Sequence, residues 1–114
     1  MEPLRKAKRL EKDIEREVRR QLVKLGWNVE KTHGSLYMKG WPDLFLAHRV
    51  YGCRWVEMKR PGDGALTPSQ VALFTRWRRY GIAIYILTKV EDIKLLKGPG
   101  NWYIWLDSKL KGLL

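Results

Sequence analysis

Two short runs of β-favouring residues, at 44–47 and 54–59, most constrain how this chain can fold. A polar stretch joins them, so the pattern predicts a β-hairpin. Because side chains on a strand alternate between its two faces, Trp55, Glu57 and Lys59 should share one face of the second strand. A carboxylate and an ammonium group are therefore expected side by side near the end of that strand.

The residues before the first run add a second carboxylate. Gly40-Trp41-Pro42-Asp43 precedes this run, and proline suits the start of a strand. If Asp43 comes within reach of Glu57, the two carboxylates can bind Mg²⁺ or Mn²⁺, which prefer oxygen ligands. Lys59 could then stabilise negative charge on a phosphate attacked by water. A Glu-x-Lys pair alone is common on solvated strand edges, but this spacing favours a site that cleaves phosphodiesters.

Charge and length narrow the class of protein. The chain has 114 residues and a formal net charge of +11, which predicts a single domain over 1–114 that binds a polyanion. Nucleic acid is favoured over a membrane, because the basic helices must also cover a core and no lipidation signal is visible. No run is apolar enough to span a bilayer and no signal peptide is visible, so we expect a cytoplasmic protein.

The rest of the sequence predicts an α/β fold. Apolar residues at helical spacing, including Leu10, Ile14, Val18, Leu22 and Leu25, indicate a first helix. The predicted elements besides the hairpin are a helix at 4–25, an edge strand at 27–31, a helix at 67–80, a strand buried on both faces at 82–87, a helical turn at 90–96 and a last strand at 102–105.

Three segments in order, 40–44, 57–62 and 66–70, resemble the VRR-NUC domain, the virus-type replication-repair nuclease of the PD-(D/E)xK superfamily. The resemblance extends from about Glu11 to Thr88. It implies a central mixed β-sheet flanked by α-helices and Mg²⁺- or Mn²⁺-dependent cleavage of branched DNA such as Holliday junctions. Small standalone members act as homodimers, which implies a homodimer here, in the cytoplasm of a bacterial or virus-infected cell.

The resemblance also assigns roles to residues of the predicted site. It makes Asp43 and Glu57 the metal carboxylates, joined by the backbone carbonyl of Met58. Lys59 becomes the catalytic lysine, and Gln70 matches a glutamine that follows these residues in the family. The segment 67–70, Thr-Pro-Ser-Gln, also fits a helix capping box. The two interpretations of Gln70 are compatible, because a glutamine at a helix start can cap and still face the site.

The family places a further glutamate on the first helix, and two residues compete for this position. Glu11 fits a Glu-x-x-Ile pattern of VRR-NUC domains, whereas Glu15 fits the helix of archaeal-type junction resolvases. They lie about one helical turn apart, so either could face the metal. The alternative is that both are ordinary solvated acids that pair with Arg19 or Lys8.

Other residues are candidates for the DNA-facing surface or for the core. The six tryptophans are expected mostly in the core or a subunit interface, with Trp41 the first candidate to stack on an unpaired base. Cys53 is expected to be a small buried residue and His48 a surface residue. The predicted DNA contacts are Lys31, His33, Lys39, Trp41 and Arg60.

Two alternatives to a junction-cleaving enzyme remain open from the sequence. One is a noncatalytic nucleic-acid-binding module that uses the same basic surface, in which the carboxylates only balance charge. The other is a nuclease of the same family that is specific for flaps or forks. A test for metal-dependent nicking of DNA distinguishes the noncatalytic module from an enzyme.

Overall fold

The computed structural model describes residues 2–32, 38–62 and 64–105, with side chains from residue 11 onward. The elements, in chain order, are α1 (Glu2–Lys24), β1 (Asn28–Lys31), β2 (Leu44–His48), β3 (Gly52–Met58), α2 (Pro68–Arg78), β4 (Ile84–Leu87) and a 3₁₀ helix (Val90–Lys97). A further helical turn covers 102–105. The described helices include none with the length and apolar character needed to cross a membrane.

The four strands form one mixed sheet in the order β1-β2-β3-β4. β1, β2 and β3 are antiparallel neighbours, and the predicted hairpin is the β2–β3 pair. β4 lies parallel to β3, because α2 lies in the crossover connection that returns the chain to the same end of the sheet. The predicted α/β class with a mixed sheet and helices is confirmed.

Side-chain alternation divides the sheet into two apolar faces. On one face Val56 and Met58 pack with buried residues of α1, including Val18 and Leu22. On the other face Trp55 packs with a cluster that includes residues of α2. All four residues of β4 are buried, as predicted for a strand covered on both sides. Glu57, between Val56 and Met58, is therefore on the α2 face, where Gln70 also lies buried.

The predicted strand at 102–105 is wrong, because this segment is helical. Asn101 explains the difference, since its side chain takes the place of a neighbouring strand along β4. Its Oδ1 accepts a hydrogen bond from the Ile86 N–H, and its Nδ2 donates to the Ile86 carbonyl. Its own N–H donates to the Ile84 carbonyl. The β-forming aromatic residues that follow therefore have no β4 edge to pair with.

The predicted burial of Cys53 is also wrong. Cys53 is exposed, because it follows Gly52 at the turn of the hairpin, at the open end of the sheet. Leu25 is 57% exposed, because α1 ends at Lys24 and the chain turns at Gly26, whose φ of 92° is left-handed. His48 is half-buried, and its ring packs against Trp27.

Candidate active site

The hairpin brings the two predicted carboxylates to the same end of the sheet. Asp43 directly precedes β2, and its Oδ2 accepts a hydrogen bond of 2.8 Å from the N–H of Met58 at the end of β3. The carbonyl of Asp43 accepts a 2.8 Å bond from the N–H of Thr32, which follows β1. Asp43 is thus fixed by both neighbouring strands, and it lies close enough to Glu57 to influence its ionisation.

Glu57 is the most constrained acid of the site. Its side chain is 5% exposed, and its Oε2 accepts a 2.7 Å hydrogen bond from Nε2 of Gln70. The Nζ of Lys59 lies 3.1 Å from the same oxygen. The other oxygen, Oε1, is buried and has no hydrogen-bond partner among the described residues. A buried carboxylate oxygen without a partner is costly, so this atom is suited to bind a ligand from outside the chain.

Gln70 both takes part in the cap of α2 and contacts two of the predicted site residues, Lys59 and Glu57. Thr67 caps α2: its side chain accepts a bond from the Gln70 N–H, and its own N–H donates to Oε1 of Gln70 over 3.0 Å. The same Oε1 accepts a 2.8 Å bond from Nζ of Lys59. The capping box therefore orients the amide that connects Lys59 with Glu57.

Burial and neighbouring acids raise the pKa values of the two carboxyl groups. The pKa of Glu57 is raised to about 7, first by burial and then by the nearby Asp43, while Lys59 and Gln70 oppose the rise. The pKa of Asp43 is also raised, first by burial, against the hydrogen bond from the Met58 N–H. A bound divalent cation would reverse this preference, because it favours the ionised forms.

The glutamates of α1 face the same acidic end of the sheet. Glu11 and Glu15 line a cavity of about 210 Å³, together with Lys12, Lys31 and Asp43. Both glutamates raise the pKa of Asp43, and Glu15 has the larger effect. Glu15 also pairs with Arg19, as the alternative interpretation predicted, and more closely with Lys31. Its side chain is only 12% exposed, so it is not the solvated acid of that interpretation.

The acidic residues of the site suit a magnesium or manganese ion that takes only some of its ligands from the protein. Within the described parts of the chain, no three His, Cys, Asp or Glu side chains form a group that could hold a metal ion. Mg²⁺ does not need such a cage, because it is usually bound by one or two carboxylates together with waters and substrate phosphates. Asp43 and the unpartnered Oε1 of Glu57 match that requirement.

The predicted DNA contacts are not all brought to this site. Lys31 lies in the cavity, Lys39 is exposed and Arg60 is half-buried just beyond Lys59. Trp41 is half-buried, and its ring packs edge-on against two other tryptophans, Trp55 and Trp77. This packing gives Trp41 a structural role. The stacking of Trp41 on an unpaired base stays a prediction. His33 lies outside the described residues.

Thr32 is a site residue that the sequence did not reveal. Its hydroxyl donates to the carbonyl of Asp43 over 3.0 Å and also to that of Pro42. With its backbone N–H it holds the chain entering β2 in place. A threonine at the end of one predicted strand and opposite the start of the next was the available signal, but only the register shows the contact.

Comparison with known proteins agrees with this architecture. Neither the protein-family models nor the curated proteins include a match to the sequence. Among solved structures, a chain titled "VRR_NUC domain" superposes with a TM-score of 0.66, at 21% sequence identity. The match covers 76% of this chain and 92% of that one. The fold and the site thus define the protein as an α/β domain with a mixed sheet and an acidic site at one end of that sheet. More specifically, the chain has the fold of a VRR_NUC domain.

Proposed function

We propose that this protein is a nuclease that cleaves DNA with the help of Mg²⁺ or Mn²⁺. The observation that carries the proposal is the buried, unpartnered Oε1 of Glu57, which lies close to a second, half-buried carboxylate, that of Asp43. The likeness in fold to a VRR_NUC domain and the net charge of +11 support DNA as the substrate. A noncatalytic nucleic-acid-binding module gives no reason for withdrawing two neighbouring carboxyl groups from water.

Asp43 and Glu57 would hold the metal, with the Met58 carbonyl and a glutamate of α1 as further ligands. When bound, the metal would act as a Lewis acid and orient the attacking water. The ammonium of Lys59, 12% exposed, is held by Glu57 and Gln70 where it can stabilise negative charge on a phosphate. Gln70 would keep this ammonium in position, because its amide bonds both Lys59 and Glu57.

The proposed substrate is branched DNA, and a Holliday junction is preferred over a flap or a fork. This choice follows the resemblance of the sequence motifs to VRR-NUC nucleases. The test incubates the protein with labelled junction, flap and linear duplex DNA in Mg²⁺, Mn²⁺ or EDTA. Metal-dependent cleavage of the junction supports the proposal. Binding that weakens steeply with salt, without cleavage in either metal, would instead indicate the noncatalytic module.

We further propose a two-fold homodimer, because one site cuts one strand and symmetric cuts across a junction need two. Two surfaces that expose apolar side chains are candidates for the interface: the end of α1, where Val23 is 61% exposed, and the last helical turn, where Ile104 is 53% exposed. Light scattering should give twice the chain mass. Val23→Glu or Ile104→Glu should give the monomer mass.

Val50→Glu is the matched control for Ile104→Glu. Val50 is 78% exposed at the hairpin turn, where it lines a cavity with Leu25 near the end of α1, whereas Ile104 lies with Thr88 at the other end of the sheet. If the dimer forms through the last helical turn, Val50→Glu should therefore remain dimeric. If the unmodified protein is a monomer that cuts junctions and duplexes alike, the nuclease stands and the paired-site mechanism fails.

The two glutamates of α1 should differ in their effect on cleavage. We expect Glu15→Gln to reduce the rate and Mn²⁺ to restore part of it, because Glu15 has the larger electrostatic effect on Asp43. Glu11→Gln should have a smaller effect. Asp13→Asn, on an exposed part of α1, is the control for loss of negative charge. Equal and negligible effects of Glu15→Gln and Glu11→Gln on cleavage would remove α1 from the site.

A further inference from the structure

The ammonium of Lys31 neutralises the carboxylate of Glu15 at the edge of the site. Its Nζ lies 2.8 Å from Oε2 of Glu15, and Nε of Arg19 lies 3.9 Å from the same oxygen. The Glu15 side chain is only 12% exposed, whereas the Lys31 side chain is 46% exposed. A nearly buried carboxylate is thus paired with a lysine that solvent, and therefore a phosphate, can reach.

We propose that Lys31 competes with the divalent cation for Glu15 and leaves it when DNA binds. Lys31 and Glu15 line the same cavity as Asp43, so a metal held by Asp43 and Glu15 would lie close to the ammonium. Like charges at such short range repel, and the ammonium occupies Oε2 of the carboxylate that the metal would use. The paired ammonium therefore weakens metal binding at Glu15, and its departure would strengthen that binding. This inference rests on the proposed metal-dependent nuclease.

The position of Lys31 allows that movement. It is the last residue of β1, an edge strand, and its backbone pairs with Leu44, which follows Asp43. Its flexible four-carbon stem can turn the ammonium from Glu15 toward a phosphate without moving the strand. DNA bound at the site would thus remove the competitor of the metal. Because linkage is reciprocal, metal binding would also strengthen DNA binding through the released lysine.

The experiment measures Mn²⁺ binding to the DNA-free protein by electron paramagnetic resonance of free Mn²⁺. Lys31→Met should bind Mn²⁺ about five- to tenfold more tightly than the unmodified protein, within the usual range of coupling between sites. Lys31→Arg, which keeps the charge, should bind Mn²⁺ much as the unmodified protein does. The gain should disappear when Lys31→Met is combined with Glu15→Gln, because the carboxylate that Lys31 blocks is then absent.

Lys12→Met is the matched control, because Lys12 lines the same cavity but no described hydrogen bond joins it to Glu15. Its effect on Mn²⁺ affinity should be smaller than that of Lys31→Met. Thermal melts check that each variant folds, and Lys31→Gln replaces Lys31→Met if the latter does not. Unchanged or weaker Mn²⁺ binding by the folded neutral variant would overturn the competition.

A second measurement tests the link to DNA. The affinity for a duplex with phosphorothioate linkages, which slow cleavage, is measured by fluorescence anisotropy with and without Mn²⁺. Mn²⁺ should strengthen this binding less in Lys31→Met than in the unmodified protein, and an equal gain would contradict the release of Lys31. Asp43→Asn separates the two proposals. If it leaves Mn²⁺ affinity unchanged, the proposed metal site itself fails; if it lowers that affinity while Lys31→Met has no effect, only the competition fails.

Discussion

Glu57→Gln and Asp43→Asn are each expected to abolish DNA cleavage while DNA binding persists or tightens. Both substitutions remove a carboxylate of the proposed metal site, and both remove negative charge that repels phosphate. The rate of junction cleavage should fall by more than about 100-fold, beyond what loss of an outer-shell partner of a metal ligand usually costs. Gel assays of cleavage and anisotropy measurements of binding, made on the same preparations, check both parts.

Asp13→Asn serves as the control, because this exposed carboxylate of α1 pairs only loosely with Arg16, at 3.6 Å. It should cleave at the unmodified rate. Lys59→Ala should also lose cleavage and keep its fold, since its ammonium contacts the site and not the apolar core. Unmodified rates for both Glu57→Gln and Asp43→Asn would show that the site is misassigned. A Lys59→Ala protein that unfolds would favour a structural role for Lys59.

The second large effect concerns stability and pH in the absence of metal. Glu57 has a pKa of about 7 in the folded protein, against an ordinary value of 4.5. Between these pH values the folded state binds more protons than the unfolded state, so the free energy of unfolding falls as the pH rises. Deprotonation of Glu57 should lower the free energy of unfolding by about 3 kcal/mol once the pH is above 7. The raised pKa of Asp43 acts in the same direction.

Thermal melts in EDTA across this pH range measure the loss. The melting temperature should fall by roughly 10 °C between pH 5 and pH 8, given the usual relation between stability and melting temperature for a domain of this size. In Glu57→Gln the melting temperature should depend much less on pH, because the amide cannot ionise. Mn²⁺ should raise the melting temperature more at pH 8 than at pH 5, since it binds the ionised carboxylates. A melting temperature that rises from pH 5 to pH 8 in EDTA would contradict the burial of an ionisable Glu57.

Local sequence signals were enough to predict the elements that build the site. The β2–β3 hairpin followed from two β-favouring runs, and the cap of α2 followed from the spacing of Thr67 and Gln70. Both depend on contacts between residues that are close in the chain. Alternation along the strand therefore predicts Glu57 and Lys59 on one face, and the hairpin spacing allows Asp43 to approach them.

These local signals could not predict contacts between elements that are distant in the sequence. Lys31 and Glu15 lie on different elements, and their ion pair depends on how α1 packs across the sheet. The aromatic residues at 102–105 predict a strand, but the segment is helical, because the hydrogen bonds of Asn101 to β4 leave no trace in the local sequence pattern. Tertiary contacts overrode local propensity at this position.

The side chain of Asn101 also determines where the sheet can grow. By occupying the backbone groups of Ile86, it blocks the β4 side to an incoming strand. In the sheet that the structure describes, a strand from another molecule can therefore add only beside β1, next to Lys31 and the acidic cavity. A dimer formed by strand addition would crowd the route of DNA to the cavity. A dimer formed through Ile104 would instead lie beside residues 62 and 64–66, which follow Lys59 and Arg60.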